Sequence, residues 1–307
     1  MSKAITLLLC IVGIVGFLNL YFYYDKSSDM IYSTINFHHV NRLGKNPILD
    51  VQNWPENVQN WTTTNDRNSS DKFKELLEKT IEFSKSRAEG RKYMLKSITK
   101  ASEYYNLFGS LAPEVFCPAK VRIGKLGDGG KWTCNPWKIP ESCVIMSLGL
   151  NDQVDFEREV QAMLSNRCLI HGYDKDSQGM QTQEDYKKMR GETHIAKIGM
   201  DMPIEALASA QGIKSLEILK IDIEGSEHEV LIPFLEKVSS CQIYIEIHGD
   251  APKHAALLQK IAHLNYRLFT YEVNGYNINA VEYSFIHESC IDKYGGYRMA
   301  NYLDFNN

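Results

Sequence analysis

No window of this 307-residue chain completes a phosphate-binding loop. The most glycine-rich stretch, residues 122–136 (RIGKLGDGGKWTCNP), comes nearest. A loop of that kind needs G-x-x-x-x-G-K-[ST], because its backbone N–H groups wrap the phosphates and a hydroxyl holds magnesium. Gly124 and Gly129 have the required interval, but Gly130 stands where the lysine belongs, and Lys131 is followed by Trp132 instead of a hydroxyl. Two accounts of the stretch remain: tight turns that bring the chain onto a sheet, or a flap, residues 128–132, over a ligand. Positive charge is also short. Lys and Arg total 34 against 38 Asp and Glu, a net charge of −4, which argues against a dedicated nucleic-acid binder. No close-spaced set of His, Cys and carboxylates demands a metal ion, and too few heptads are present for a coiled coil.

Charge is missing altogether from residues 4–24 (AITLLLCIVGIVGFLNLYFYY). Twenty-one uncharged residues can cross a hydrocarbon core of about 30 Å. The run ends in Tyr21, Tyr23 and Tyr24, as expected where a helix meets headgroups. A cleaved signal peptide is the competing reading, but the run exceeds the usual apolar region and lacks an A-x-A-like site. Lys3 against the near-cancelling Asp25, Lys26 and Asp29 votes for a cytoplasmic N-terminus. Two acceptor sequons, at Asn60 and Asn68, fit a lumenal body. So do six cysteines beyond the run (Cys117, Cys134, Cys143, Cys168, Cys241, Cys290), an even count compatible with disulfides, although buried free thiols remain open. The expected organisation is a single-pass type II membrane protein of the ER or Golgi: tail and anchor over 1–25, a stem over 26–70, a helical segment over 71–115 and a catalytic domain over 116–307.

The helical segment shows apolar residues at helical spacing (Phe73, Leu76, Leu77, Ile81), with a second helix expected after Gly90. From residue 143 the pattern changes. Apolar, β-rich runs at 143–149, 167–174, 193–200, 216–225 and 241–249 alternate with helix-like segments at 155–165, 203–211, 227–237 and 252–264. Such alternation predicts a mostly parallel sheet covered on both faces. The runs 266–274 and 280–287, joined by a short link, predict an antiparallel hairpin.

Ligands of open α/β sheets bind beyond the carboxyl ends of the strands, so the residues after each strand are the candidates. After the first come Gly149, Asn151 and Asp152, without the later glycines that a pyrophosphate requires. Asp174 after the second can take ribose hydroxyls, or can simply hold a turn. Asp201, expected after the third, is a capping aspartate or an adenine contact. Near the end of the fourth, LKIDIEGSEHEVL places Asp222 and Glu224 on one side of the strand, and two buried carboxylates need a partner or a purpose. Ser226 is the expected cap of the next helix. The fifth strand repeats the device with Glu246 and His248, the histidine being a candidate general base for a hydroxyl.

LEILKIDIEGSEHEVL resembles the K-I-D-x-E-G-x-E-x-x-V-L signature of FkbM-type S-adenosylmethionine-dependent methyltransferases. MDMPIEALASAQG is similar to that family's aspartate-then-helix segment, and SLGLNDQVDFE to its first glycine motif. With GDGGKW and the apolar N-terminal run, the chain looks closest to animal membrane-anchored methyltransferase-like proteins. The resemblance covers residues 116–286. It implies a Rossmann-like class I methyltransferase sheet, S-adenosylmethionine contacts at Gly149, Asn151, Asp152 and Asp174, and Asp222 and Glu224 near the transferred methyl. It further implies O-methylation of a glycan or small molecule, with the membrane as the other partner and no nucleic acid. A catalytically inactive methyltransferase fold acting as a binding module is the alternative, and a nucleotide-sugar or NAD enzyme the third.

Overall fold

The structure is a computed structural model that describes residues 66–305. The expected anchor and most of the expected stem, with Asn60, lie outside the described residues. Among the described residues no helix is long and apolar enough to cross a membrane. Residues from Asp71 onward form one unit.

A long helix, α1 (Asp66–Lys96), opens the described chain, followed by the short α2 (Tyr104–Ser110). Gly90 was expected to separate two helices. Instead α1 runs through it, since a lone glycine costs a helix only about 1 kcal/mol. The end of α1 docks through buried Leu95 and through Arg91, whose Nη1 donates to the Ser110 carbonyl (2.6 Å).

Then come β1 (Val115–Phe116), a hairpin of β2 (Lys120–Ile123) and β3 (Lys131–Cys134), and the alternating core. The core runs β4 (Val144–Leu148), α3 (Asp155–Met163), β5 (Leu169–Asp174), α4 (Met180–Lys188), β6 (Gly191–Ile195) and α5 (Ile204–Ala210). It continues with β7 (Ser215–Ile221), α6 (Glu227–Leu235), β8 (Ser239–His248), α7 (Ala251–His263), β9 (Tyr266–Val273) and β10 (Ala280–His287). A last short strand, β11 (Tyr297–Arg298), pairs with β1.

The seven-stranded sheet has the order β6-β5-β4-β7-β8-β10-β9. β10 is inserted between β8 and β9 and runs antiparallel to both, which makes the expected hairpin the edge of the sheet. The order turns back between β4 and β7, both of which leave toward the same end, and that reversal opens a crevice. Strand alternation builds two cores. Met146, Leu148, Leu219, Ile221, Ile243 and Ile245 pack on one face against α5, α6 and α7. Ile145, Ile170, Ile218, Tyr244 and Ile286 pack on the other against α3 and α4.

Helix α4 was absent from the sequence expectation. Its sequence, MQTQEDYKK, buries only Thr182 and Tyr186, too few apolar residues to show a period. The six cysteines form three disulfides, Cys117–Cys134, Cys143–Cys168 and Cys241–Cys290. Cys143, Cys168 and Cys241 sit at or near the starts of their strands, so the covalent ties lie at the end of the sheet opposite the crevice.

Candidate active site

A cavity of about 810 Å³ occupies the carboxyl ends of the strands, a size suited to a small-molecule ligand. It is lined from the β4 side by Gly149, Asn151 and Asp152, from β5 by Asp174 and Gln178, and from β6 by Ala196 and Ile198. The other wall is Asp222, Glu224, Glu246 and His248, with Lys131 and Asp128 arriving from the β2–β3 hairpin.

The first wall is a closed hydrogen-bond system. Asp174 is buried, and its Oδ2 accepts from the backbone N–H groups of Leu150 and Asn151 (2.8 Å each) while Oδ1 accepts from Asp176 (2.9 Å). Gln178 Oε1 accepts from the Asp152 N–H, and Asp152 Oδ1 accepts from the Gly179 N–H (2.8 Å each). Asn151 and Asp152 have positive φ, and these bonds hold the strained turn in place. Gly149, at φ +80°, lies so close to the next strand that a Cβ would fall 1.6 Å from the Asp222 carbonyl oxygen. Only glycine fits there. Asp201 does not belong to this wall. β6 ends at Ile195, earlier than the apolar run suggested, and Asp201 sits exposed in the 199–202 turn; Pro203, not Asp201, precedes α5.

The second wall is built from charge. β7 ends at Ile221, so Asp222 lies in the segment just beyond the strand and Glu224 in the turn that follows, and strand alternation does not relate them. Glu224 is exposed at φ +57° and reaches His248 Nε2 (3.5 Å). Ser226 makes no side-chain cap. Glu227, fully buried, instead ties the turn before the helix: its carboxylate accepts from the Ile223 and Gly225 N–H groups (2.9 and 2.8 Å) and lies 3.4 Å from His248 Nδ1. The Glu227 carboxylate, outweighing burial, pushes His248 up to about 9. The imidazole is thereby held toward its protonated form.

Glu246 is 7% exposed, and no hydrogen bond to its carboxylate occurs among the described residues. Burial, with the negative charges of Asp222 and Glu282 added, pushes it up to about 8. Glu282 and Lys131 had not been singled out as site residues. Glu282 stands directly opposite Glu246 across the β8–β10 ladder, and Glu272 directly opposite Glu282 across β10–β9. A row of three like charges on neighbouring strands is destabilising unless it is compensated. The hairpin compensates two of them. Arg122 Nε and Nη2 donate to the Glu272 carboxylate (3.0 and 3.1 Å), and Trp132 Nε1 adds a third bond (2.8 Å). The Lys131 ammonium, its side chain 1% exposed, bonds Glu282 Oε1. Burial acts to lower Lys131, but Glu282, Asp222 and Glu246 together outweigh it and its affinity for a proton is raised. Cross-strand register and hairpin docking, neither of them local in sequence, put these groups together. The GDGGKW stretch was the one signal that pointed to Lys131.

The sequence matches a methyltransferase-domain family over residues 63–287, more than half of the chain. The chain belongs to that family. The match is to a methyltransferase domain in general and does not separate the FkbM type from others. A comparison with curated proteins returns no match. Among solved structures the chain is similar to the fibrillarin/Nop5p complex (10% identity, 58% of this chain and 99% of that chain, TM-score 0.36). It is similar also to Aeropyrum pernix fibrillarin with natively bound S-adenosyl-L-methionine (7%, 55% and 84%, 0.33) and to the B. subtilis M1A22 tRNA methyltransferase TrmK (10%, 55% and 70%, 0.32). The family assignment rests on the sequence match.

This methyltransferase takes its methyl group from S-adenosylmethionine, and the cavity fits that cofactor. The cofactor carries no phosphate, which agrees with a first turn that has a single glycine where a pyrophosphate loop needs three. Its sulfonium is cationic, and Asp152, Asp174, Asp222 and Glu246 line the cavity. Gly149, Asn151 and Asp152 would hold its amino-acid portion, Asp174 and Gln178 its ribose, and Ala196 and Ile198 would supply an apolar face.

Proposed function

We propose that this methyltransferase acts on oxygen, at a hydroxyl of a glycan or small molecule, and that it works in the lumen of the ER or Golgi as a type II membrane protein. The observation that carries the reaction class is the pair Asp222 and Glu246 on the cavity wall, beside an imidazolium. When bound, S-adenosylmethionine supplies an electrophilic methyl on a cationic sulfur, and a hydroxyl must shed its proton as the new carbon–oxygen bond forms. Asp222 and Glu246 are placed to take that proton, Glu246 being tuned near the working pH, where a general base is most effective. His248, held between Glu224 and Glu227, orients the acceptor as a donor. Three disulfides support an oxidising compartment, where such bonds persist.

The test is incubation of the full chain with isotopically labelled S-adenosylmethionine and glycan or small-molecule extracts. Label should appear as base-stable methyl ethers. Label confined to amines or carboxylates would sink the oxygen assignment. Absence of cofactor binding in calorimetry would leave only the inactive binding module.

A further inference from the structure

The row Glu246, Glu282 and Glu272 faces the hairpin, but among the described residues only two of the hairpin's cations, Arg122 and Lys131, pair with its three carboxylates, and Lys120 donates to the Thr270 hydroxyl instead (3.1 Å). Arg122 answers Glu272 and Lys131 answers Glu282, leaving Glu246 with no hydrogen bond or ion pair of its own among the described residues. Asp222, from the end of β7, adds a further negative charge on the same side. The four carboxylates, Asp222, Glu246, Glu272 and Glu282, against the two cations, Arg122 and Lys131, leave a formal charge of −2. The cations near at hand are already used: Lys220 donates to the Gly149 carbonyl (3.3 Å) and lies beside Glu157 (3.6 Å), and His248 is engaged by Glu224 and Glu227.

We propose that Asp222, Glu246 and Glu282 form a binding site for a divalent cation. One oxygen from each of the three lies within 4.8 Å of the others. Oxygen ligands stand about 2.0–2.6 Å from magnesium or calcium, so two of them across one ion are about 4–5 Å apart, and the spacing fits. Two further observations point to a ligand. Glu246 is more than nine-tenths buried, accepts no hydrogen bond among the described residues and faces the cavity. Glu282 Oε2, the oxygen that Lys131 leaves free, is buried with no hydrogen-bond partner among the described residues. A charged carboxylate in that state is costly unless something compensates it. The donor set is all oxygen, which selects Mg²⁺, Ca²⁺ or Mn²⁺ over zinc. A second cluster, Asp222, Glu224 and His248, has similar spacing, but its histidine is engaged by Glu227 (3.4 Å) and its Glu224 is exposed. An ion at the first cluster would have coordination positions open to the cavity, where acceptor oxygens could enter; this deepens the oxygen-acceptor reading and rests on it for its purpose, not for its geometry.

The experiment is titration of the purified full chain with Mn²⁺ followed by electron paramagnetic resonance, and with Mg²⁺ and Ca²⁺ by calorimetry, without cofactor or acceptor. One saturable site per chain is expected. Asp222→Asn and Glu246→Gln should each weaken it at least tenfold, with near-ultraviolet circular dichroism unchanged, while Glu224→Gln should leave it intact. No saturable binding to the wild-type chain overturns the proposal without any need for a variant. Equal affinity in wild type and the folded Glu246→Gln variant overturns it too, as would binding of a small alkylammonium ion in place of every divalent ion, the mark of an amine acceptor. Because the titration contains no cofactor, failure to methylate a hydroxyl leaves this result untouched.

Discussion

The two walls of the cavity solve the same problem in opposite ways. On the proposed cofactor side, carboxylates are answered by main-chain N–H groups: Asp174 accepts three and Asp152 one, all from turns within the wall. On the proposed acceptor side, Glu246, Glu282 and Glu272 face one another, and help comes from a hairpin that precedes the core sheet in the chain. A wall satisfied by its own backbone is finished before any ligand arrives. A wall left with a net charge, and with a Glu246 that accepts no hydrogen bond among the described residues, is built for what it receives. The comparison predicts that substitutions on the two sides will fail differently: acceptor-side changes in turnover, cofactor-side changes in affinity.

The largest effect should come from the middle of the acceptor side. Glu246→Gln keeps shape and removes the proton acceptor, so kcat should fall by about 10²- to 10⁴-fold, the usual share of general acid–base catalysis. Affinity for S-adenosylmethionine, measured by calorimetry, should stay within about threefold if the contacts stop at Asp222. A matching loss of cofactor affinity would merge the two walls into one.

Next comes the hairpin. Lys131→Met strands Glu282 as a buried carboxylate with no counter-charge, a change that costs about 3–5 kcal/mol. The double variant Lys131→Met/Glu282→Gln should recover most of that in urea unfolding, because the cost belongs to the orphaned charge. Failure of the second change to rescue the first would show that Lys131 acts through packing.

A smaller effect is expected at Asp174. Asparagine there turns one accepting oxygen into a donor that confronts N–H groups, and charge-assisted bonds are worth about 1.5–3 kcal/mol each. Cofactor affinity should weaken by about 10- to 100-fold, with kcat at saturating cofactor nearly unchanged. A loss in kcat alone would place Asp174 with the chemistry.

The difference between the walls also decides what could be seen in the sequence. Strand-end positions such as Gly149, Asp174, Asp222, Glu246 and His248 stand out because each follows or ends an apolar run, and all of them line the cavity. Asp201 misled for the same reason in reverse: the apolar run 193–200 outlasts β6, which stops at Ile195. Helix α4 was invisible because its buried face is one tyrosine and one threonine. Glu227 looked like an ordinary acidic residue in a first helical turn, yet it is fully buried and organises both the turn and His248. Glu282 could not be found at all, since its meaning comes from standing opposite Glu246, and register is a property of two strands and not of one. Gly124 to Gly130 of the opening stretch form the hairpin turn, and the flap expected at 128–132 is in part its return strand, with Asp128 and Gly129 at the cavity rim and Lys131 within.

The smallest expected effect separates the rims by pH. On the acceptor side the rim includes Asn274 and Asn277, in the link between β9 and β10, and that link is pinned by His254 of α7. His254 is fully buried, with Nδ1 at 3.0 Å from the Tyr283 hydroxyl and Nε2 at 3.1 Å from the Asn279 carbonyl. Burial, against the pull of the Asn279 carbonyl, drives it down to about 4; the neighbouring His228 and His248 push the same way. Its folded value lies below the unfolded value near 6.5, so between them the unfolded chain binds more protons. The stability His254 contributes is therefore complete above about pH 6.5 and drains away as pH falls toward 4, by roughly 2 kcal/mol at pH 5. His254→Gln should flatten the urea midpoint between pH 7 and pH 5 relative to wild type. Hydrogen exchange at pH 5 should show the 274–279 link opening before the Asp174 turn, whose main-chain bonds contain no histidine. Equal slopes in the two proteins would mean that acid loosens this methyltransferase somewhere other than its acceptor rim.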